Sequence, residues 1–386
     1  MNVERALYAA GPVAVAAIVL TVGCDVRISP FRATMTDGGS VHTDGPARTD
    51  GSAPDGTDGG LPIPCPDELV GFATTNGGTV GGGSVGSVTP LVVNASDPDA
   101  FTQLSAYANE KMPGPLVIEV VGMIAFPAPD DSGSIETQIR VSSNKTILGS
   151  GASSGLTGGG LNLTDSSNVI LQNLVISKAH GTDAISLNAS KNIWIDHCDL
   201  SSERNADADS YDGLVDITHA SDFVTISWTR YHDHNDTGII GHSDSNGVED
   251  TGTFHITYHH DLFTDVTAGP RVRFGSVHVF NVYFEQVVNY AVASTMGAQV
   301  LVDDTYFKNI PAPGTPLTTM LSDSAAPGTF WLSNNVADAT DGANNLTTLA
   351  TQWAPPYPYT PDSVASVPAL VAACAGTGKM SGAPRD

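Results

Sequence analysis

An eight-residue pattern occurs seven times in this chain, and it restricts the possible folds more than any other feature. In each copy two apolar residues stand two positions apart, polar residues follow that are often Asn, Asp or His, and an apolar residue comes last. Such alternation, rich in β-branched and aromatic residues, predicts β-strands. The copies are Val169–Ile176, Ile193–Leu200, Val224–Tyr231, Ile256–Phe263, Val277–Phe284, Val300–Phe307 and Phe330–Ala337.

The spacing of the copies predicts coils that stack on one another. Successive copies start 24, 31, 32, 21, 23 and 30 residues apart. This is a short period that is lengthened in three places, as insertions in loops would do. An all-β repeat of this length predicts a right-handed, single-stranded parallel β-helix from about residue 64 to residue 340. A sandwich or a propeller with coincidental spacing is the alternative.

The segments at both ends of the repeat fit a closed stack. Residues 97–112 begin with Asp-Pro and continue with helical spacing, so we expect a capping helix over the N-terminal strand edge. Residues 116–124 predict a buried strand. Cys65 and Cys374 flank the repeat, and in an exported protein they would be able to form a disulfide that holds the two ends. Cys198 lies within a copy, and we expect a buried thiol there.

The first 23 residues predict a signal peptide of the lipoprotein type. Residues 6–22 are uncharged and apolar, a normal length for a signal peptide and a short one for a membrane span. Gly23 followed by Cys24 resembles a bacterial lipobox, in which Cys24 would carry the lipid. Ordinary secretion and a retained membrane helix are the alternatives. The predicted localisation is therefore export, as a lipoprotein at the bacterial cell surface or facing the periplasm, or by secretion.

Residues 24–61 predict a flexible linker between this signal and a folded domain over residues 62–386. Within the linker, residues 35–61 contain four Thr-Asp-Gly triplets and no aromatic residue, so they cannot bury enough apolar surface to offset the entropy of ordering. The alternative is that the Thr-Asp-Gly triplets form a calcium-binding repeat, but the apolar positions that would support such a repeat are missing. We expect the protein to be a monomer.

The charge of the chain excludes one class of partner. Its 41 Asp and Glu residues outnumber 16 Lys and Arg residues, and the net charge is −25. A nucleic-acid-binding protein would present a basic face.

Three carboxylates precede two consecutive copies at a similar distance. Asp183 lies ten residues before Ile193, and Asp212 and Asp216 lie twelve and eight residues before Val224. In stacked coils about 4.8 Å apart, these side chains are expected at one position around the axis. Oxygen ligands of this kind suit Ca²⁺ rather than Zn²⁺. A solvated acidic face is an equally good interpretation of the spacing alone.

Six segments of the chain together resemble the family 1 polysaccharide lyases, the group of pectate lyases and plant pollen allergens. The resemblance runs in one order from about residue 64 to residue 307. It implies the parallel β-helix, β-elimination in polygalacturonate or a related uronan, and Ca²⁺ bound by Asp183, Asp212 and Asp216. The segments are residues 192–201, 212–217, 224–228, 234–241, 256–260 and 270–281.

The sequence departs from this family at two basic positions. The family motif Arg-x-Pro-x-x-Arg keeps Pro270 and Arg273, but its first Arg, the family's proposed base, falls on Ala268. The family's His-x-Lys, whose Lys holds a substrate carboxylate, here has Asp236 in place of the Lys, after His234 and Asn235. We expect Arg273 to bind a substrate carboxylate, with a structural ion pair as the alternative.

A substitute base is conceivable at Arg271, Arg230, His232 or His234, and the sequence does not rank them. His232 and His234 alternate onto one face of a strand and suggest zinc, but no metalloenzyme spacing follows.

Two functions remain open for the chain. One is an exported, calcium-assisted pectate lyase-like enzyme of reduced activity. The other is a catalytically impaired, calcium-dependent glycan-binding surface lipoprotein, and a purely structural β-helix is a third possibility.

Overall fold

The computed structural model describes residues 65–83, 88–128, 137–204, 210–338 and 353–380. The predicted signal peptide, Cys24 and the whole of the predicted linker lie outside these residues. The described part contains short strands and few helices. The strands are β1 Leu91–Asn94, β2 Leu116–Val121, β3 Met123–Ala125, β4 Gln138–Arg140, β5 Lys145–Gly149, β6 Gly155–Thr157, β7 Gly160–Thr164, β8 Ser167–Gln172, β9 Val175–Ser177, β10 Ile185–Asn188, β11 Lys191–Asp196, β12 Asp199–Ser201, β13 Val215–Thr218, β14 Asp222–Ser227, β15 Arg230–Asp236, β16 Ile239–Ile240, β17 His255–His259, β18 Leu262–Ala268, β19 Arg271–Arg273, β20 Ser276–Phe280, β21 Tyr283–Thr295, β22 Gln299–Asp303, β23 Tyr306–Lys308, β24 Thr315–Thr318, β25 Thr329–Ser333 and β26 Val336–Asp338.

The strands form a parallel β-helix, as predicted. One sheet has the order β1-β2-β5-β8-β11-β14-β17-β20-β22-β25, and every pairing in it is parallel. The other two faces form a second sheet, which runs β3-β6-β9-β12-β15-β18-β21 and returns through β19-β16-β13-β10-β7-β4. Each coil therefore contributes one strand to each face.

The seven copies of the sequence pattern stack in register. Their first residues pair from coil to coil, in the order Val169, Ile193, Val224, Ile256, Val277, Val300 and Phe330. These residues and their alternates fill the interior of the helix, where they are almost fully buried. Aromatic residues stack along the same axis, with ring centroids 4.3 Å apart between Tyr231 and Phe263 and 4.7 Å apart between Phe263 and Phe284.

The eight-residue pattern is not one continuous strand, which corrects the expectation from the sequence. In every copy the chain turns at the fifth residue, whose φ is positive, between 43° and 56°. Asn and Asp tolerate this left-handed backbone conformation better than most residues, and His shares this enrichment. The recurring polar position is therefore a corner between two strands. The corner residues are Asn173, His197, Trp228, His260, Asn281, Asp304 and Asn334.

A helix covers the N-terminal end of the stack, but it is shorter than predicted. Helix α1 spans Ala100–Ala108 and buries Ala100, Leu104 and Ala108 against β1–β4. The Asp-Pro pair belongs instead to a turn, in which the Ala100 N–H donates to the Asp97 carbonyl. The buried strand expected at 116–124 is divided into β2 and β3 by Gly122, whose φ of 80° ends the first strand.

Two terminal segments lie along the outer face of the ten-stranded sheet. In residues 65–83, the backbone N–H groups of Phe72 and Ala73 donate to Thr257 Oγ1 and Thr225 Oγ1 at 3.0 Å each. In residues 353–380, the Tyr359 hydroxyl donates to Asp303 at 2.6 Å. The second segment contains α3, Val367–Cys374, which packs in a small apolar cluster that includes Leu262 and Tyr283.

A disulfide joins the two terminal segments. Cys65 and Cys374 are bonded, with their Cα atoms 5.4 Å apart, and Cys198 is a buried free thiol. The remaining helices are short: α2 spans Gly247–Asp250, and 3₁₀ turns occupy Phe72–Thr74 and Asp244–Asn246. No helix in the described ranges is long and apolar enough to span a membrane.

Candidate active site

Two of the three predicted calcium ligands lie close together on adjacent coils. Asp183 precedes β10, and Asp216 lies on β13, which pairs with β10 so that Ser186 faces Asp216. Asp183 Oδ1 accepts a hydrogen bond of 2.9 Å from the Gly213 N–H, and its other oxygen accepts from Ser186 at 2.5 Å. Asp216 Oδ1 accepts from the Ile239 N–H at 3.1 Å.

Gly213 leaves the space between these two carboxylates open. A Cβ at this position would stand 3.1 Å from Asp183 Oδ1 and closer than a real contact allows to Asp216 Oδ1. Any other residue would therefore push one carboxylate aside. The sequence analysis missed this glycine, because its role depends on a contact across two coils.

The electrostatics of the pair indicate a site that lacks positive charge. Burial raises the pKa of Asp183, and the neighbouring charge of Asp212 raises it further. The pKa of Asp216 lies well above its usual range, because the group is buried and Asp183, Asp212 and Asp236 are near. Carboxylates that repel each other in this way would be stabilised by a bound cation.

Asp212, the third predicted ligand, is exposed, and its backbone carbonyl is held by His234. Among the described residues, no group of three or more His, Cys, Asp or Glu side chains is arranged to hold a metal ion. The structure thus brings two acidic oxygens to one open space, with a third acidic residue beside them, but it contains no completed cage. Paired carboxylate oxygens of this kind fit the ligand preference of Ca²⁺.

His234 occupies a structural position next to this site. Its side chain is 2% exposed, and its Nε2 lies 2.7 Å from the Asp212 carbonyl oxygen, to which it donates. Its Nδ1 then accepts from the Ser202 hydroxyl. Burial lowers the pKa of His234. A catalytic role for His234 stays a prediction, and in this structure both ring nitrogens already have partners.

Arg273, which we expected to bind a substrate carboxylate, is instead bound by other parts of the protein. It is 8% exposed, its Nε donates to Asp244 at 2.7 Å, and its Nη1 donates to the Gly241 carbonyl at 2.8 Å. This is the ion pair that the sequence analysis gave as the alternative role. No motif of the chain pointed to Asp244, which is 29 residues away from Arg273 along the sequence.

A second arginine, Arg271, shares the outward face of β19 with Arg273. Ile217 pairs with Ile240, which places Asp216 level with Ile239, and Ile239 pairs with Arg271. Arg271 therefore lies two strand spacings, about 10 Å, from the carboxylate pair. The alternation Arg-Val-Arg would have predicted that both arginines face the same way.

Comparisons with known proteins identify the family of the chain. The family model described as pectate lyase matches residues 65–380. Pectate lyase plyB of Emericella nidulans is 42% identical over 250 residues, which cover 64% of this chain and 70% of that protein. A pectate trisaccharide-lyase of Bacillus licheniformis is 35% identical over 317 residues, which cover 81% of this chain and 87% of that protein.

The chain belongs to the pectate lyase family. A crystal structure of a pectate lyase from Bacillus sp. N165 in complex with trigalacturonate aligns with a TM-score of 0.69 and 31% identity, over 81% of this chain and 99% of that one. The chain is therefore a pectate lyase-type protein, and proteins so named are carbon–oxygen lyases that act on polysaccharides.

In this family member, the position of the predicted family base is closed. Ala268 is fully buried and packs with Tyr290, Ala293 and Leu321. Its coil partner on one side is Asp236, and its partner on the other side is Tyr290. Burial and the charge of Asp236 raise the pKa of Tyr290 to about 12.

Asp236 makes the same region more acidic. It is exposed at the end of β15, yet the surrounding protein withdraws enough water to raise its pKa, while His234 and Arg271 oppose that shift. The structure therefore places an anion and an apolar cluster where the family resemblance calls for two cations. Two other residues of β15, His232 and Arg230, share the carboxylate of Asp199 on β12. His232 Nε2 lies 2.8 Å from it and Arg230 Nη1 lies 3.5 Å from it.

Proposed function

We propose that this protein is an exported, calcium-assisted lyase that cleaves polygalacturonate or a related uronan by β-elimination, with low turnover. The observation that carries the proposal is the pair formed by Asp183 and Asp216 around the open space beside Gly213. With Asp212 they would hold Ca²⁺, which when bound supplies positive charge that stabilises the substrate carboxylate and acidifies the adjacent C5–H.

The residues of the chain account for the orientation of this site. The Gly213 N–H and the Ser186 hydroxyl fix the carboxylate of Asp183, and the Ile239 N–H fixes that of Asp216. His234 holds the backbone of Asp212. The acidic groups would therefore meet the cation with little reorganisation of their backbones.

Low turnover follows from the groups near Ala268. A positioned general base contributes about 10²–10⁴-fold to rate, and Ala268 supplies none. The buried packing of Ala268 also means that substituting Arg there would overfill the cluster with Tyr290 and Ala293. An Arg inserted before Pro270 would leave the packed Ala268 in place and is the more promising restoration.

Export is proposed on two grounds. The N-terminal sequence has the pattern of a lipoprotein signal ending at Cys24, and disulfides such as Cys65–Cys374 persist in oxidising compartments.

A second candidate function is calcium-dependent glycan binding without catalysis. It is favoured by one observation, the replacement of the base position by a buried Ala268 next to Asp236. The two functions differ in whether a 4,5-unsaturated product forms.

The deciding experiment follows the ultraviolet absorbance of that product on polygalacturonate, with calcium and with a chelator. Slow, calcium-dependent product formation that is lost in Asp216→Asn supports the lyase. Binding of trigalacturonate without product supports the binding protein. Rapid turnover independent of calcium would contradict both.

A further inference from the structure

A loop from the C-terminal part of the β-helix lies over Arg271. Arg271 Nη1 donates to Asp323 at 2.8 Å, and Nη2 donates to Ser324 Oγ at 3.2 Å. The same loop places Leu321 against the cluster of Ala268, Tyr290 and Ala293. Residues 321–326, the covering loop, thus sit on the side of the groove where the family base would be expected.

The two arginines of β19 differ in how firmly their partners are held. Asp244, the partner of Arg273, has a side chain that is 22% exposed, and its second oxygen accepts from the Ala325 N–H at 2.8 Å. Asp323, the nearer of two carboxylates beside Arg271, has a side chain that is 66% exposed, and Asp244 Oδ1 lies 3.7 Å from Arg271 Nη2. Arg273 is therefore part of a fixed network, whereas the main partner of Arg271 faces solvent.

Arg271 also retains an unused donor. Its side chain is 11% exposed, and among the described residues its buried Nε has no hydrogen-bond partner. A buried donor without a partner costs free energy until a ligand or water satisfies it. Arg is well suited to hold a carboxylate through two parallel hydrogen bonds.

Arg271 lies on the same face of the second sheet as Asp216 of the carboxylate pair. It faces outward in the same row as Asp216, about 10 Å away, the distance of two strands. A cation at this point would meet a carboxylate of the same polysaccharide.

We propose that Arg271 is the residue that binds a substrate carboxylate, and that Asp323 occupies its guanidinium in the free protein until the substrate carboxylate replaces it. The inference rests on the proposed function and assigns to Arg271 the role that was expected of Arg273 from the sequence. The exposed Asp323 carboxylate is then a placeholder that competes with substrate.

The test is a double-mutant cycle on trigalacturonate binding, measured by calorimetry with calcium on the full-length protein, Asp323→Asn, Arg271→Gln and the double variant. We expect Asp323→Asn to tighten binding about 2- to 5-fold, since an exposed ion pair is weak. Arg271→Gln should weaken binding about 10-fold, and Asp323→Asn should have no effect in the Arg271→Gln background.

The matched control is Glu110→Gln, which removes the same charge from an exposed ion pair with Arg140. It should leave binding unchanged. A fully methyl-esterified trisaccharide should gain nothing from Asp323→Asn, because it offers no carboxylate to Arg271. Equal gains in Asp323→Asn and Glu110→Gln would reduce the effect to net charge and overturn the proposal.

The outcomes separate this inference from the proposed function. Binding that follows the expected cycle without any unsaturated product would contradict the lyase and leave the role of Arg271 intact. Calcium-dependent formation of the unsaturated product, with the Kd for trigalacturonate unchanged in Asp323→Asn and Arg271→Gln, would support the lyase and overturn the role of Arg271. Absence of trigalacturonate binding in all four proteins would overturn the inference.

Discussion

At the scale of single residues, the site is defined by an excess of negative charge. Asp183 and Asp216 face one space, Asp212 and Asp236 raise the pKa of Asp216 further, and Gly213 keeps the space open. Such a group of carboxylates is poorly stable without a counter-ion, because each ionised oxygen disfavours the others. The same property makes it a good receptor for a divalent cation.

Removing one of these carboxylates should weaken calcium binding. We expect Asp216→Asn to lower the calcium affinity at least about 10- to 100-fold, since even outer-shell changes at metal sites reach this size. Isothermal calorimetry with calcium chloride measures the effect. Asp338→Asn, an exposed change at the other end of the β-helix, is the control. Equal affinities in the two variants would exclude Asp216 as a ligand.

Reversing the charge of Asp236 should strengthen substrate binding. A unit charge pair at about 4 Å is worth about 1–4 kcal/mol in solvent-like to surface-like dielectrics, so Asp236→Lys should tighten trigalacturonate binding about 10-fold or more. Fluorescence or calorimetric titration at fixed calcium provides the measurement. Glu110→Lys makes the same charge change at a remote, 74% exposed side chain. If it improves binding as much, long-range charge and not the groove contact explains the gain.

At the scale of elements, the corner residues decide where each strand ends. Asn173 shows how a corner is stabilised: with a φ of 54°, its Nδ2 donates to the carbonyls of Gly149 and Gly151 at 2.7 and 2.6 Å. Its Oδ1 accepts from the Gly378 N–H at 2.7 Å. One side chain therefore joins two coils and the C-terminal segment.

Truncating this corner should destabilise the protein. Asn173→Ala would leave buried carbonyls and an N–H without partners and place Ala in a left-handed conformation, so we expect a loss of roughly 2–4 kcal/mol in the free energy of unfolding. Urea denaturation followed by circular dichroism gives the value. Asn334→Ala has the same backbone conformation at an exposed corner and should cost less. Similar losses at both corners would mean that the backbone alone matters.

At the scale of the whole molecule, the terminal segments and their disulfide cover one face of the β-helix. They bury a row of polar and aromatic side chains, including His259, His260 and His278. Tyr357 joins the C-terminal segment to Thr257 and to His278 at 2.7 Å each. The covered face is therefore held by long-range contacts that a single coil cannot provide.

Loss of the disulfide should loosen these segments without unfolding the coils. Disulfides typically contribute about 2–4 kcal/mol, so the Cys65→Ala, Cys374→Ala double variant should unfold at a lower urea concentration than the parent. Cys198 provides an internal control: burial raises the pKa of its thiol to about 12, so the native protein should resist alkylation there. If reductant leaves the urea midpoint of the parent protein unchanged, that result would contradict a stabilising role of the disulfide.

The buried histidines should make stability dependent on pH. Burial, with His260 and His278 nearby, lowers the pKa of His259 well below its usual range. The unfolded chain then binds more protons than the folded one below about pH 6.5, so stability should fall as the pH drops from about 7.5 to about 5.5. His259→Phe should reduce this dependence, as urea midpoints at the two pH values would show. An unchanged slope would assign the dependence to other groups.

Much of the architecture was predictable because it is local and repeated. The seven copies and their strand alternation recur at a coil's length, and six of the seven corners carry Asn, Asp or His, the exception being Trp228. Similar local preferences repeated along the chain favour coils that stack in register. The position of Asp183, Asp212 and Asp216 before consecutive strands followed from the same period. The extent of the helix at residues 100–108 did not, since a hydrogen-bonded turn took the Asp-Pro pair.

Tertiary structure alone decided which charges are free to meet a ligand. The sequence determined that Arg271 and Arg273 share a strand face and that Ala268 and Asp236 replace basic residues. It did not determine that Asp244 holds Arg273 or that Asp323, 52 residues away, reaches Arg271. The closure of the Ala268 position by Tyr290 and Leu321 was equally hidden. The physical reason is that the period fixes the row and face of each residue, whereas ion pairs form between loops whose paths no local preference specifies.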